Sequence, residues 1–136
     1  MTRADLLTVP GIAQLLGRGV YLELTDERLE LVSDGPAIIV ADPAPGAAAA
    51  LRLSEYAERV TLVIHENGRC ACLSRDIRSA LRRRSNVQTL YGTELAWAVG
   101  IDHLEAVVLR RSTRRIKACN AAALFVLSPV FEDERS

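Results

Sequence analysis

Two short apolar runs, Ala37-Ile38-Ile39-Val40-Ala41 and Val60-Thr61-Leu62-Val63-Ile64, constrain this chain more than any other feature. Both are rich in β-branched residues, both are short for helices, and neither alternates with polar residues as a strand with one wet face would. They predict strands buried on two sides. The first begins after the turn formers Asp34-Gly35-Pro36 and ends at Asp42-Pro43-Ala44-Pro45-Gly46. Between that turn and the second run, residues Ala47 to Ala57 are rich in alanine and leucine and have strong helix propensity, with Pro45 placed where a first helical turn accepts it. Residues 36–64 therefore predict one β-α-β unit with a right-handed crossover.

Downstream, Ser74 is suited to cap a helix in which Leu73, Ile77, Ala80 and Leu81 recur at helical spacing with arginines between them. Asn86 to Tyr91 alternates with period two and predicts a third parallel strand. Thr93–Val99, Leu104–Arg111 and Arg115–Cys119 are strand-like segments joined at hairpin spacing, which predicts an antiparallel meander. Ala121 to Leu127 returns to the uninterrupted apolar pattern. Trp97 and Phe125 are expected in the core. Upstream, Pro10 to Gly17 predicts a short helix or turn and Leu24 to Val32 a second helix. At 136 residues the chain suffices for one core. The expected divisions are an N-terminal segment 1–33 packing on the domain, the domain proper 34–130, and a frayed tail 131–136.

Seventeen basic residues balance seventeen acidic ones, so no global field draws the chain to nucleic acid or anionic lipid, and function must come from a local site. No apolar stretch approaches the ~20 residues that span a bilayer. The N-terminus lacks the pattern of a secretion signal, and three cysteines without a Cys-x-x-Cys pair suit a reducing compartment, so the expected location is the cytoplasm. His65, Cys70 and Cys72 lie within eight residues, but Cys-x-Cys on one element points its thiols apart, and no metal is expected. No Gly-x-Ser-x-Gly turn exposes a serine nucleophile. The arginine clusters at 82–84, 110–111 and 114–115 lack accompanying aromatic platforms and read as solvated charge rather than a nucleic-acid surface.

Four stretches carry a family resemblance: Leu16-Gly17-Arg18-Gly19-Val20-Tyr21; Ala57-Glu58-Arg59-Val60-Thr61-Leu62-Val63-Ile64; Asn86-Val87 with Gly92-Thr93-Glu94-Leu95; and Leu104-Glu105-Ala106-Val107 with Ala123-Leu124-Phe125-Val126. In that order and spacing the chain resembles the nicotinamide-nucleotide-binding domain of thioredoxin-reductase-like pyridine nucleotide-disulfide oxidoreductases. The resemblance implies an α/β fold, a Rossmann-like parallel sheet with flanking helices and an antiparallel β-meander.

It also implies a site, and this sequence departs from the family there. The family ends its first strand in a Gly-x-Gly-x-x-Ala/Gly turn, so that bare backbone meets the pyrophosphate at a helix N-terminus. Those glycines fall on Ala41 and Pro43, and only the third small position, Gly46, is kept. Pro43 and Pro45 lack amide hydrogens, and Asp42 adds negative charge. The arginines that would take a 2′-phosphate correspond to His65, Glu66 and Cys70, so Glu66 favours the unphosphorylated cofactor. The residues expected to meet a dinucleotide are Ala44, Gly46, His65, Glu66 and Arg75. The redox cysteines of thioredoxin reductases correspond to Glu23 and Asp26, so disulfide exchange in that manner is not expected.

Two expectations follow. One is a degenerate domain that binds NADH or NADPH weakly, holds no FAD alone, has no catalytic residues of its own, and completes a flavoprotein with a partner. The other is a noncatalytic interaction or dimerisation module, docking through the face that packs on the flavin domain in relatives.

Overall fold

The computed structural model describes residues 9–31, 35–41, 43–64, 74–111 and 115–127. In chain order the elements are α1 (Ile12–Leu15), β1 (Val20–Tyr21), α2 (Asp26–Leu31), β2 (Pro36–Ala41), α3 (Pro43–Leu53) and β3 (Arg59–Ile64). Then come α4 (Arg75–Arg83), β4 (Val87–Tyr91), β5 (Thr93–Gly100), β6 (Leu104–Arg111), β7 (Ile116–Asn120) and β8 (Ala123–Leu127). Five parallel strands form one sheet in the order β1-β8-β2-β3-β4, and β5-β6-β7 form an antiparallel meander. The expected fold class is the one observed.

The sheet is covered on both faces, which is why its strands read as continuous apolar runs. Ile39, Leu62, Ile64 and Phe125 face the helices and pack with Ala47, Ala50 and Leu53 of α3, Leu29 of α2 and Leu81 of α4. Ile38, Val40, Val63 and Leu124 face the meander and pack with Leu95, Leu104, Val107 and Leu109, together with Ile12 and Leu15 of α1. Alanines on α3 leave room for its axis to lie close to the sheet. Gly11 is a second close approach: its backbone has φ +90°, a β-carbon there would collide with the Ala98 carbonyl, and the Ala98 amide donates to the Pro10 carbonyl at 2.9 Å.

Two expectations are corrected, and one strand was not expected. The helix expected over Ala47 to Ala57 runs from Pro43 to Leu53, because a proline at the first helical position loses no hydrogen bond the helix would have made. At its other end Ser54 turns its hydroxyl onto the Leu51 carbonyl, 2.7 Å away. The two-residue strand β1, which pairs Val20 with Leu124 and Tyr21 with Phe125, has no counterpart in the apolar pattern. Trp97 is 53% exposed, whereas Phe125 is fully buried as expected. The β5–β6 register jumps between Leu95 and Trp97. This bulge at Ala96 breaks the alternation that would put Trp97 on the inner face with Leu95, and Ala98 turns inward instead.

Candidate functional site

In a parallel sheet of this kind the chain leaves its first strand towards one side and returns on the other, and a crevice opens at the carboxyl ends of the two neighbours. Here β2 has β3 on one side and β8 on the other, so the switch point lies beyond Ala41 and Leu127. The N-terminus of α3 opens there, one residue after β2 ends. The first four amides of a helix have no internal partner and are what such a crevice offers an anion. At the start of α3 two of those positions are Pro43 and Pro45, so two of the four donors are chemically absent. The first turn carries no acidic side chain.

Gly46 is buried and faces the sheet. A β-carbon on it would stand 2.8 Å from Cδ1 of Leu62 and 3.2 Å from Cβ of Ala41. The small residue at this position is thus explained by helix–strand packing. Ala44 lies on the same turn. Arg75 lies on a separate element, exposed at the first position of α4. The expected cap is present, with the Ser74 hydroxyl accepting from the Ile77 amide at 3.2 Å. His65 and Glu66 follow β3 directly and lie outside the described residues, as do Cys70 and Cys72.

Where the resemblance places a redox dithiol, the structure has a different chemistry, one the sequence did not reveal. Arg28 donates through Nη1 to the Glu23 carbonyl at 2.8 Å, and its guanidinium carbon sits 4.9 Å from the centroid of the Tyr21 ring. Tyr21 in turn packs on Phe125 with ring centroids 5.5 Å apart. The cation stacks on the Tyr21 ring and is a structural element, not a redox one. Tyr21 and Phe125 are brought together by the β1–β8 pairing, a long-range contact with no local signature.

Two further hollows lie away from the switch point. One, of about 340 Å³, lies between α4 and β4 and is lined by Arg78, Leu81, Arg82, Val87, Thr89 and Tyr91. The other, of about 450 Å³, separates β7 from the amino-terminal halves of β2, β3 and β4. Among the described residues no three His, Cys, Asp or Glu side chains are grouped to hold a metal, Cys119 is a free, half-buried thiol, and no helix is long and apolar enough to cross a membrane.

No family model and no curated protein matches this chain. Solved structures do match it. A thioredoxin reductase of T. acidophilum aligns over 90% of this chain and 40% of its own, with 19% identity and a TM-score of 0.80. One from Gloeobacter violaceus aligns over 89% and 37%, with 20% identity and a TM-score of 0.76. The bacillithiol disulfide reductase of Staphylococcus aureus aligns over 96% and 39%, with 15% identity and a TM-score of 0.73. At these identities the likeness is one of fold, and the chain spans about two-fifths of the length of these proteins. Nearly all of this chain therefore has the α/β architecture of one part of the thioredoxin reductases and related disulfide reductases.

Proposed function

We propose that this chain is a degenerate nucleotide domain of the thioredoxin-reductase-like kind, which retains at most weak binding of an unphosphorylated nicotinamide dinucleotide and acts in an assembly with a flavin-bearing partner. The observation that carries this reading is the first turn of α3. It opens at the switch point, where such folds hold a pyrophosphate, yet Pro43 and Pro45 remove two of its four free amides. The scaffold supports the family reading, and the loss of donors supports degeneracy. The fold alone does not confer an activity. The reading places the protein in the cytoplasm, where a free thiol such as Cys119 persists.

Thermal unfolding of the purified chain with and without millimolar NADH and NADPH tests it, because a ligand that binds only the native state raises stability. A small upward shift with NADH alone supports residual binding. An equal or larger shift with NADPH would sink the preference assigned to Glu66, and a shift of many degrees with either would sink degeneracy itself.

A second reading, the noncatalytic interaction module, has its own observation. Trp97, Val99, Ile101 and Ile116 are all exposed on the meander and its first turn. Exposed apolar side chains on one sheet give such a module a surface to dock through. Sedimentation across a hundredfold concentration range reads out self-association, and a monomer throughout would remove the homodimer form of this reading.

A further inference from the structure

One edge of β7 has no pairing strand among the described residues, and it faces a cleft. The hydrogen bonds Arg111 N to Arg115 O, 2.8 Å, and Ala121 N to Glu105 O, 3.0 Å, flank the β6–β7 ladder. Hydrogen-bonded pairs alternate in an antiparallel ladder, so with Lys117 opposite Leu109 and Cys119 opposite Val107, residues 115, 117, 119 and 121 turn their backbone groups to β6. Ile116, Ala118 and Asn120 present theirs to the other edge, where no strand pairs among the described residues.

That edge borders the 450 Å³ cleft, whose lining includes the four consecutive residues 117–120. Alternate side chains of a strand leave opposite faces, so four in a row line one space only along the strand's edge. Across the cleft, Ile38 gives an apolar patch and Gln88 an amide. Thr61, 6% exposed, adds a hydroxyl with no hydrogen-bond partner among the described residues. In the lining, Arg59 and Lys117 stand on opposite walls against the single carboxylate of Glu58, and Arg115, outside the lining, precedes β7. A second copy of β7 would bring its own Arg115 and Lys117 to this excess of positive charge. A neutral strand would leave the excess unanswered.

We propose that the free edge of β7 is a docking site for an extended acidic peptide segment of a partner protein, which adds to the meander as a fourth strand and sets its carboxylates against Arg59 and Lys117. Main-chain hydrogen bonds supply the affinity in this mode and the alternating side chains the selectivity. The charged edge that discourages indiscriminate pairing is here what selects the partner. The inference rests on the fold and not on the dinucleotide reading, so either can fail without the other.

The test uses the full chain and two synthetic peptides, acetyl-Val-Glu-Val-Glu-Val-Glu-amide and its lysine counterpart, read by amide hydrogen exchange. The acidic peptide should slow exchange at Ile116 and Ala118 by at least about tenfold, leave Lys117 and Cys119 unchanged because they already pair with β6, and the lysine peptide should do nothing. Ala118→Pro removes only an edge-facing N–H and should abolish the effect, with unchanged exchange at Glu94, which pairs with Arg110, and at Leu109, which pairs with Lys117, showing that the meander persists. Lys117→Glu should weaken binding of the acidic peptide without any change to the backbone edge. Equal protection by both peptides, or none with either, overturns the proposal. Protection that grows with protein concentration in the absence of peptide also overturns it, because the occupant is then a second copy.

Discussion

Gly46 and Leu62 meet with no room between them: the Leu62 Cδ1 stands 2.8 Å from where a β-carbon of Gly46 would be. Alanine at 46 gains up to ~1 kcal/mol of helix propensity but must displace the end of the leucine side chain. Gly46→Ala is therefore expected to stay within ~1 kcal/mol of the native stability, and Gly46→Val to lose ~2 kcal/mol or more by overpacking. Denaturant midpoints measure both. Combined with Leu62→Ala, which vacates the space, Gly46→Ala should show a favourable coupling above ~0.5 kcal/mol, and strict additivity would mean that the contact is not the cause.

Restoring the lost donors should restore ligand binding. The triple variant Ala41→Gly, Pro43→Gly, Pro45→Ala gives the start of α3 its full set of amides. If the prolines are what weakens the site, NADH at tenfold its dissociation constant adds ~1.4 kcal/mol to the variant's stability. That should appear as a rise of a few degrees in Tm beyond the native chain's response. Failure of the variant to respond, while still folded, would move the cause elsewhere in the crevice.

Asn86 ties the start of β4 to the loop after α3. Its Nδ2 donates to the Ser54 carbonyl at 2.8 Å and the Ala57 carbonyl at 3.1 Å, spanning 32 and 29 residues of sequence. Asn86→Ala strands two carbonyls and is expected to cost ~1–3 kcal/mol. Asn86→Asp should cost at least as much, since a carboxylate cannot donate. A neutral Asn86→Asp in chemical denaturation would show that water replaces the tether.

The cap of α4 is a smaller and cleaner case. Ser74→Ala removes the acceptor for the Ile77 amide and should cost ~1 kcal/mol, while Ser74→Asp should retain most of the stability. Equal losses in the two variants, measured by thermal unfolding, would show that the cap hydrogen bond contributes nothing.

Much of this architecture was legible in the residues, and the exceptions have physical causes. The β2-α3-β3 unit and the meander are written in runs and turns that burial on two faces or hairpin spacing requires. β1 was not, because two residues carry no period and Val20–Tyr21 is a strand only because Leu124 and Phe125 arrive beside it. Trp97 was misplaced because a bulge depends on how β5 fits β6, which no local pattern records. Of the expected site, Gly46 and the prolines were legible through the chemistry of a missing side chain and a missing hydrogen. Arg28 over Tyr21 was not, since a cation on a ring needs only proximity.

The position of β8 sets a schedule for the newborn chain. The last of the described strands lies between two of the earliest of them, with Ala123–Leu127 alongside β2 and Leu124–Phe125 beside β1. Until residue 127 has left the ribosome, β2 has an open apolar flank and β1 has nothing to pair with. Folding of the sheet must then wait for almost the whole described sequence, and the interval leaves an adhesive edge for chaperones to guard.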